Sequence, residues 1–294
     1  MELPLEAVPN FSEGRDRATI EALAAALSEH AELLDVHSDP DHNRSVFTLV
    51  GEDKRLEDAL VAGVACAKER IDLRTHVGAH PRIGAADVVP VVPLRPEQMR
   101  RAARVARLVG KRLAAELGLT VFFYGEIGDG RGPAFFRRGG PEELQRRLDA
   151  GELKPAYGPP WLDERAGAVL VGARRPLIAF NVNLRGATVE VAQEIAATVR
   201  ESGGGYPGVR ALGLDLPSAG RVQVSMNVED HEAAALHELV ARIGAEAEAR
   251  GAGIEASELV GLMPAAAALA AAGALLRIDG FDPSRVLELR LLGR

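Results

Sequence analysis

Apolar positions recur along the chain in two rhythms, every second residue and every third to fourth, and the order of these stretches predicts the elements. Glu2 to Val8 reads as a strand, Asp16 to His30 as a helix with Ile20, Leu23, Ala24 and Leu27 on one face, and Glu32 to His37 as a second strand. After the turn SDPDHN, Arg44 to Val50 alternates as a third strand, Leu56 to Arg70 is helical, and Ala85 to Val92 is a strand ending at Pro93. A long Arg-studded helix from Pro96 to Leu117, a strand from Leu119 to Tyr124 and a short helix from Pro141 to Leu148 extend this β-α-β-β-α-β unit.

A second cycle begins near Ala168, with AVLVGA and PLIAFNVNL as strands, a helix from Val189 to Arg200 and the loop SGGGYPG. VRALGLDL and RVQVSMNV read as a hairpin across Pro217 to Gly220, Asp230 to Arg250 as a helix and Gly253 to Leu259 as the closing strand. Pro264, at a first-turn position, opens an Ala-rich helix. The expected class is α+β, two ferredoxin-like subdomains with a ligand groove between them. The boundary falls near residue 180, giving 1–180 and 181–294, with the AFNVNL strand bridging the halves.

Composition narrows the class. At 294 residues, 47% hydrophobic and 26% charged, the chain has ample material for a core and no signature of disorder. A formal charge of −7 disfavours nucleic acid or an anionic membrane as partner, while a local Arg cluster still suits small anions. The single cysteine, Cys66, excludes an intrachain disulfide and a thiolate metal cluster. The N-terminal segment has no leader pattern and no apolar run is long enough to span a bilayer, so a cytoplasmic enzyme or binding protein is expected. The helices Asp230 to Arg250 and Pro264 to Ile278 suit a homodimer interface or an intrachain core equally.

Four stretches carry candidate chemistry. THVGAHPRIGAADVVPVVP, from Thr75 to Pro93, puts His76, His80, Arg82 and Asp87 around two glycines before a buried strand. General acid/base use of His80 and a merely structural histidine are both open; a metal on His76 and His80 is disfavoured, because Gly78 and Pro81 oppose the helix that such spacing needs. DVHSDPDHNRSV crowds acids, histidines and Arg44 on one turn, with His37, Asp39 and Asp41 alternating; turn chemistry explains much of it, and a functional role for Asp41 or Arg44 competes with that reading. In VPNFSEGR, Asn10 or Ser12 would cap the next helix and leave its N-terminus for an anion. KPAYGPPWLDERAG holds Trp161, the only tryptophan, either stacked on a flat heterocycle or packing its own linker. Neither a Rossmann nor a P-loop nucleotide motif is present.

VPNFSEGR, DPDHNRSVFTLVG, HPRIGAADVVP, a Gly-Pro loop closing on a glycine after seven intervening residues, GAR-x-x-LIAFNVNL, VQVSMN and ELVGLMP together resemble the glutamate formimidoyltransferase family, over nearly the whole chain. The resemblance implies two ferredoxin-like subdomains flanking a positively charged folate groove, and transfer of a formimidoyl group between tetrahydrofolate, as co-substrate, and glutamate, with N-formimidoylglutamate as the other form of the pair. It places the catalytic histidine of the His-Pro-Arg motif on His80 and the folate loop on Gly158, Pro159 and Gly167. Substrate binding is further expected at Asn10, Asp41, Arg44, Arg82, Asn181 and Asn183, with no metal. Animal members continue into a cyclodeaminase, for which 294 residues leave no room, so a separate downstream partner enzyme is implied. Ala79 stands where animal members carry Glu, and PWLDERA departs from their loop. Formyl transfer from 5-formyltetrahydrofolate and a non-catalytic folate-binding homologue are the competing readings.

Overall fold

The computed structural model describes residues 3–217 and 219–292. The Glu2 end of the first expected strand and Ser218 of the expected hairpin turn lie outside them. The chain divides into two compact units, Met1–Arg175 and Pro176–Arg294, and is a mixed α+β protein with two sheets.

In the first unit, β1 (Leu5–Ala7) and β2 (Asn10–Phe11) occupy one slot, each antiparallel to the same two strands. Pro9 interrupts them because it has no N–H to donate, while its carbonyl still accepts from Phe47 at 3.0 Å. Next come α1 (Arg17–Ser28), β3 (Glu32–Asp39), β4 (Arg44–Gly51), α2 (Asp53–Arg70), β5 (Ala86–Pro93), α3 (Met99–Leu117), β6 (Thr120–Gly125), α4 (Pro133–Arg137), α5 (Gly140–Asp149) and β7 (Ala168–Ala173). Across the sheet the order is β3, β4, the β1/β2 slot, β5, β7, β6; β7 runs parallel to both β5 and β6.

The alternation in β6 and β7 accounts for two layers. Val121, Val169 and Val171 face the core under α1, α2 and α3, while Phe122, Ala168 and Leu170 face a second core with Phe136 of α4 and Leu144 and Leu148 of α5. AVLVGA is thus apolar without a break because both its faces are buried. It does not open a second cycle, as the sequence suggested, but completes the first sheet.

The second unit contains β8 (Ile178–Arg185), α6 (Val189–Val199), β9 (Val209–Leu216), β10 (Arg221–Val228), α7 (Leu236–Glu248), β11 (Gly253–Val260) and α8 (Ala265–Leu276). Its antiparallel sheet has the order β11, β8, β10, β9. Ile178, Val182 and Leu184 pack with Ile195, Val199, Leu239 and Ile243 of α6 and α7. Among the described residues the strand expected to bridge the halves, β8, pairs only within this unit. Helix α7 starts six residues after the expected Asp230, whose carboxylate instead accepts from the N–H groups of Glu232 and Ala233 in a separate turn. Among the described residues no helix is long and apolar enough to cross a membrane.

Phe11 and Phe47, fully buried on adjacent strands, meet edge to face with centroids 5.4 Å apart. Phe47→Ala is expected to cost about 3–5 kcal/mol. Urea denaturation checks this, and an unchanged midpoint would show that the seam beneath the sheet does not hold the unit together.

Candidate active site

Three segments of the first unit converge at one end of the sheet: residues 10–15 after β2, the turn 40–43 between β3 and β4, and the loop 71–85 between α2 and β5. They interlock more closely than side chains allow. A Cβ on Gly14 would lie 2.1 Å from the Asp39 carbonyl oxygen, and one on Gly78 would lie 2.4 Å from that of His42. Asn43 cross-braces all three. It takes the left-handed conformation, φ 45°, that its short polar side chain tolerates. Its Oδ1 accepts from Gly14 N at 2.9 Å and its Nδ2 donates to the Val77 carbonyl at 3.0 Å. Ser12 donates to the Gly84 carbonyl at 2.7 Å.

Ser12 and Asn10 are therefore not the helix caps expected from the sequence. Asp16 caps α1, accepting from Ala18 and Thr19, so the anion site imagined there is filled by the protein's own carboxylate. Likewise the alternation of His37, Asp39 and Asp41 stops short, because β3 ends at Asp39, whose carboxylate accepts from His42 N at 2.7 Å.

At the centre lies Asp87, fully buried at the start of β5. Its Oδ1 accepts from Ile83 N at 2.9 Å; its Oδ2 accepts from Arg44 Nη1 at 2.8 Å and Arg137 Nη2 at 2.5 Å. Burial alone would push the carboxyl up, but Arg137 and Arg44 hold it far below the usual carboxylate range. Arg44, nearly as buried, is pulled by desolvation down to about 10, with Asp87 opposing, and stays a cation at neutral pH. Its Nε donates to Asn10 Oδ1 at 3.1 Å, and Asn10 donates in turn to the Val8 carbonyl at 2.8 Å. Asp41 is buried in the adjoining turn, its carbonyl accepting from Ala79 N at 2.9 Å.

His80 sits half-buried above this cluster, its ring centroid 6.1 Å from that of His42. Its Nδ1 lies 2.7 Å from the Pro81 carbonyl oxygen. A carbonyl only accepts, so Nδ1 carries the proton and Nε2 keeps the lone pair. Desolvation, then the Arg44 and Arg137 cations, hold the imidazole well below its ordinary range, against the weaker pull of Asp87. At neutral pH it is a neutral base with its tautomer fixed. Beside it, Leu73, His76, Gly78, Pro81, Arg82 and Pro141 line a depression of about 330 Å³.

Arg82 serves the loop itself. Nε donates to the His80 carbonyl at 3.0 Å, Nη2 donates to the carbonyls of His80 and His42, and Nη1 donates to the His76 ring. The folate loop expected at Gly158 to Gly167 is held against the same sheet. Gly158 and Gly167 both have positive φ, and a Cβ on either would lie 2.1 Å from a carbonyl oxygen, of Leu119 and Ile83 respectively. The carbonyl of Pro159 accepts from Thr120 at 3.0 Å. Trp161 is 61% exposed, so it does not pack the linker. Asn181 and Asn183 belong to the second unit. There they share one sheet face with Gln223 and Glu258: Asn181 donates to Glu258 at 3.0 Å and Gln223 donates to Asn183 at 2.9 Å.

Sequence reasoning missed Arg137, which ends a five-residue helix too short for periodicity; Pro133 at its first position after a glycine-rich run was the available signal. Asp87 was seen in its motif, but not as the acid that joins two arginines.

His76 makes the charge balance measurable. Burial and then Arg82 pull its imidazole down to about 4. Between pH 6.5 and 4 the unfolded chain therefore binds a proton that the folded one refuses, and stability falls as pH falls through that window. The urea midpoint of the wild type should drop more between pH 7 and 5 than that of His76→Gln. Equal drops would show that the ring protonates freely.

Two family models match. The formiminotransferase domain, N-terminal subdomain, covers residues 4–174, and the formiminotransferase domain covers residues 179–280. A glutamate formimidoyltransferase of Streptococcus pyogenes serotype M1 is 38% identical over 98% of this chain and 99% of its own length. One of Thermoplasma acidophilum is 38% identical over 98% and 97%. A formimidoyltransferase-cyclodeaminase of Sus scrofa is 39% identical over 91% of this chain, which spans 51% of that relative. The chain belongs to the formiminotransferase family.

Proposed function

We infer that the protein is a glutamate formimidoyltransferase, moving a formimidoyl group between N5 of tetrahydrofolate and the amino group of glutamate, with His80 carrying the protons. The observation that supports this most directly is a half-buried imidazole whose Nδ1–H is committed to the Pro81 carbonyl, kept neutral by desolvation and by the arginine cluster beside it. Matches along nearly the full length to proteins named for that reaction support the chemistry.

Transfer requires the glutamate nitrogen to attack the amidine carbon of 5-formimidoyltetrahydrofolate, forming a C–N bond and a tetrahedral intermediate. His80 Nε2 takes the proton that the attacking amine loses. As the bond to N5 breaks, the same imidazolium returns the proton to N5, giving tetrahydrofolate and N-formimidoylglutamate. A base held below its ordinary range gives that proton up readily, and such general acid/base catalysis contributes about 10²- to 10⁴-fold. Arg44, with Asn10 orienting its Nε edge, faces a substrate carboxylate, and Arg82 holds the His80 loop. Asp41 shapes the turn under Ala79.

In this reading Gly158, Pro159 and Gly167 hold the folate loop against the first sheet, with Trp161 exposed for stacking. Asn181 and Asn183 offer amide contacts from the second. Strands two, three, one and four of each repeated unit lie side by side in both sheets, which supports the ferredoxin-like assignment. In this reading the catalytic and C-terminal subdomains, expected at 1–180 and 181–294, are the units Met1–Arg175 and Pro176–Arg294, which keep β8 whole. The groove implied by the resemblance, work in the cytoplasm, a homodimer and a separate cyclodeaminase acting on 5-formimidoyltetrahydrofolate belong to the same reading.

Release of tetrahydrofolate from 5-formimidoyltetrahydrofolate, with and without glutamate, tests it. Glutamate-dependent release should fall about 10²- to 10⁴-fold in His80→Ala with folate still bound. Near-full turnover in that variant would remove His80 from the chemistry, and release only from 5-formyltetrahydrofolate would change the transferred group.

A further inference from the structure

The three arginines around His80 are not equivalent. Arg82 has every guanidinium nitrogen engaged within the loop. Arg44 gives Nε to Asn10 and Nη1 to Asp87, which leaves Nη2. Arg137 gives only Nη2, to the same oxygen of Asp87, and its Nε is buried with no hydrogen-bonding partner among the described residues. Buried donors are almost always paired, because an unpaired one loses its water and gains nothing.

The charge is unbalanced in the same place. Among the described residues Asp87 is the one carboxylate hydrogen-bonded to either guanidinium, so two cations share one anion where little water reaches. Rotation away from this arrangement is opposed by the anchoring of α4. Phe136 is buried with its ring 5.0 Å from that of Phe122, and the Phe135 carbonyl accepts from Arg147 at 3.0 Å. The site is thus short of one anion, and the planar fork of a guanidinium matches a carboxylate best.

We propose that Arg137, with the open side of Arg44, binds a carboxylate of the amino-acid substrate and sets the preference for a dicarboxylic over a neutral amino acid. Arg137 is then a specificity-determining residue, held ready by Asp87 from one side. This rests on the transferase reading for the identity of the substrate, but the binding itself is measurable without turnover.

The test is calorimetric titration with glutarate, which has both carboxylates and no amine, with and without tetrahydrofolate, for wild type, Arg137→Gln and Arg137→Lys. Loss of a charge-assisted contact should weaken glutarate binding about 10- to 100-fold in Arg137→Gln, with Arg137→Lys between. In turnover, Arg137→Gln should lose kcat/KM with glutamate by a similar factor and far less with glutamine, a difference that mere loosening of α4 would not produce. Should Arg137→Gln fail to fold, Arg137→Lys carries the comparison. Equal glutarate affinity in wild type and the folded variants, no glutarate binding by the wild type, or equal losses with glutamate and glutamine would each overturn the proposal. Arg137-dependent glutarate binding in a protein that releases no tetrahydrofolate would leave the carboxylate site standing and remove the transferase reading.

Discussion

One buried carboxylate holds the His80 end of the first unit together. Asp87 receives a backbone N–H from the His80 loop, a guanidinium from the first residue of β4 and another from α4. Three pieces of chain with little else in common thereby meet at two oxygen atoms. A buried ion pair of this kind adds little net stability over a packed apolar substitute, whereas removing one partner strands the other charge at a cost of about 3–5 kcal/mol. Such a junction is explained by what it orients more than by what it stabilises. It fixes where two cations stand relative to an imidazole.

The loops around that junction are rigid for a steric reason. Gly14 and Gly78 let backbone approach backbone at distances that no Cβ permits, and Asn43, in a conformation few residues accept, uses both ends of its amide to tie the segments. Arg82 adds a guanidinium whose donors end on the His80 carbonyl and the His76 imidazole of its own loop and on the His42 carbonyl of the neighbouring turn. The residues that look most polar in the sequence are thus largely structural. Those left with chemical capacity are fewer: the Nε2 of His80 and the outer edges of Arg44 and Arg137.

Much of the fold was legible because its helices bury one face and its strands alternate. The helices α2 and α3 and the strands β3, β4 and β6 follow directly from periodicity. AVLVGA was misplaced because a strand buried on both faces has no alternation to show which sheet it joins. The cap of α1 and the start of α7 were misjudged where several capping residues compete within a few positions, since sequence does not say which side chain reaches the free N–H groups. His80 was legible from its motif and its glycine and proline neighbours. Arg137 was not, because it lies 50 residues beyond Asp87 and only the folded sheet brings the two together.

The electrostatics of the site bind two properties that sequence reading treats separately. Desolvation and then the cations of Arg44 and Arg137 lower the proton affinity of His80, with Asp87 and His42 acting in opposite senses on the same ring. Linkage then works in both directions. Any anion that settles on those guanidiniums offsets the field that disfavours the imidazolium, so the ring becomes a better proton acceptor when the anion is present. Without one, His80 stays neutral and no imidazolium stands idle in an empty site. In the proposed reaction, a base that gains strength when a carboxylate arrives is tuned by its substrate, and the physical requirement for that tuning is the uneven sharing of one Asp between two Arg.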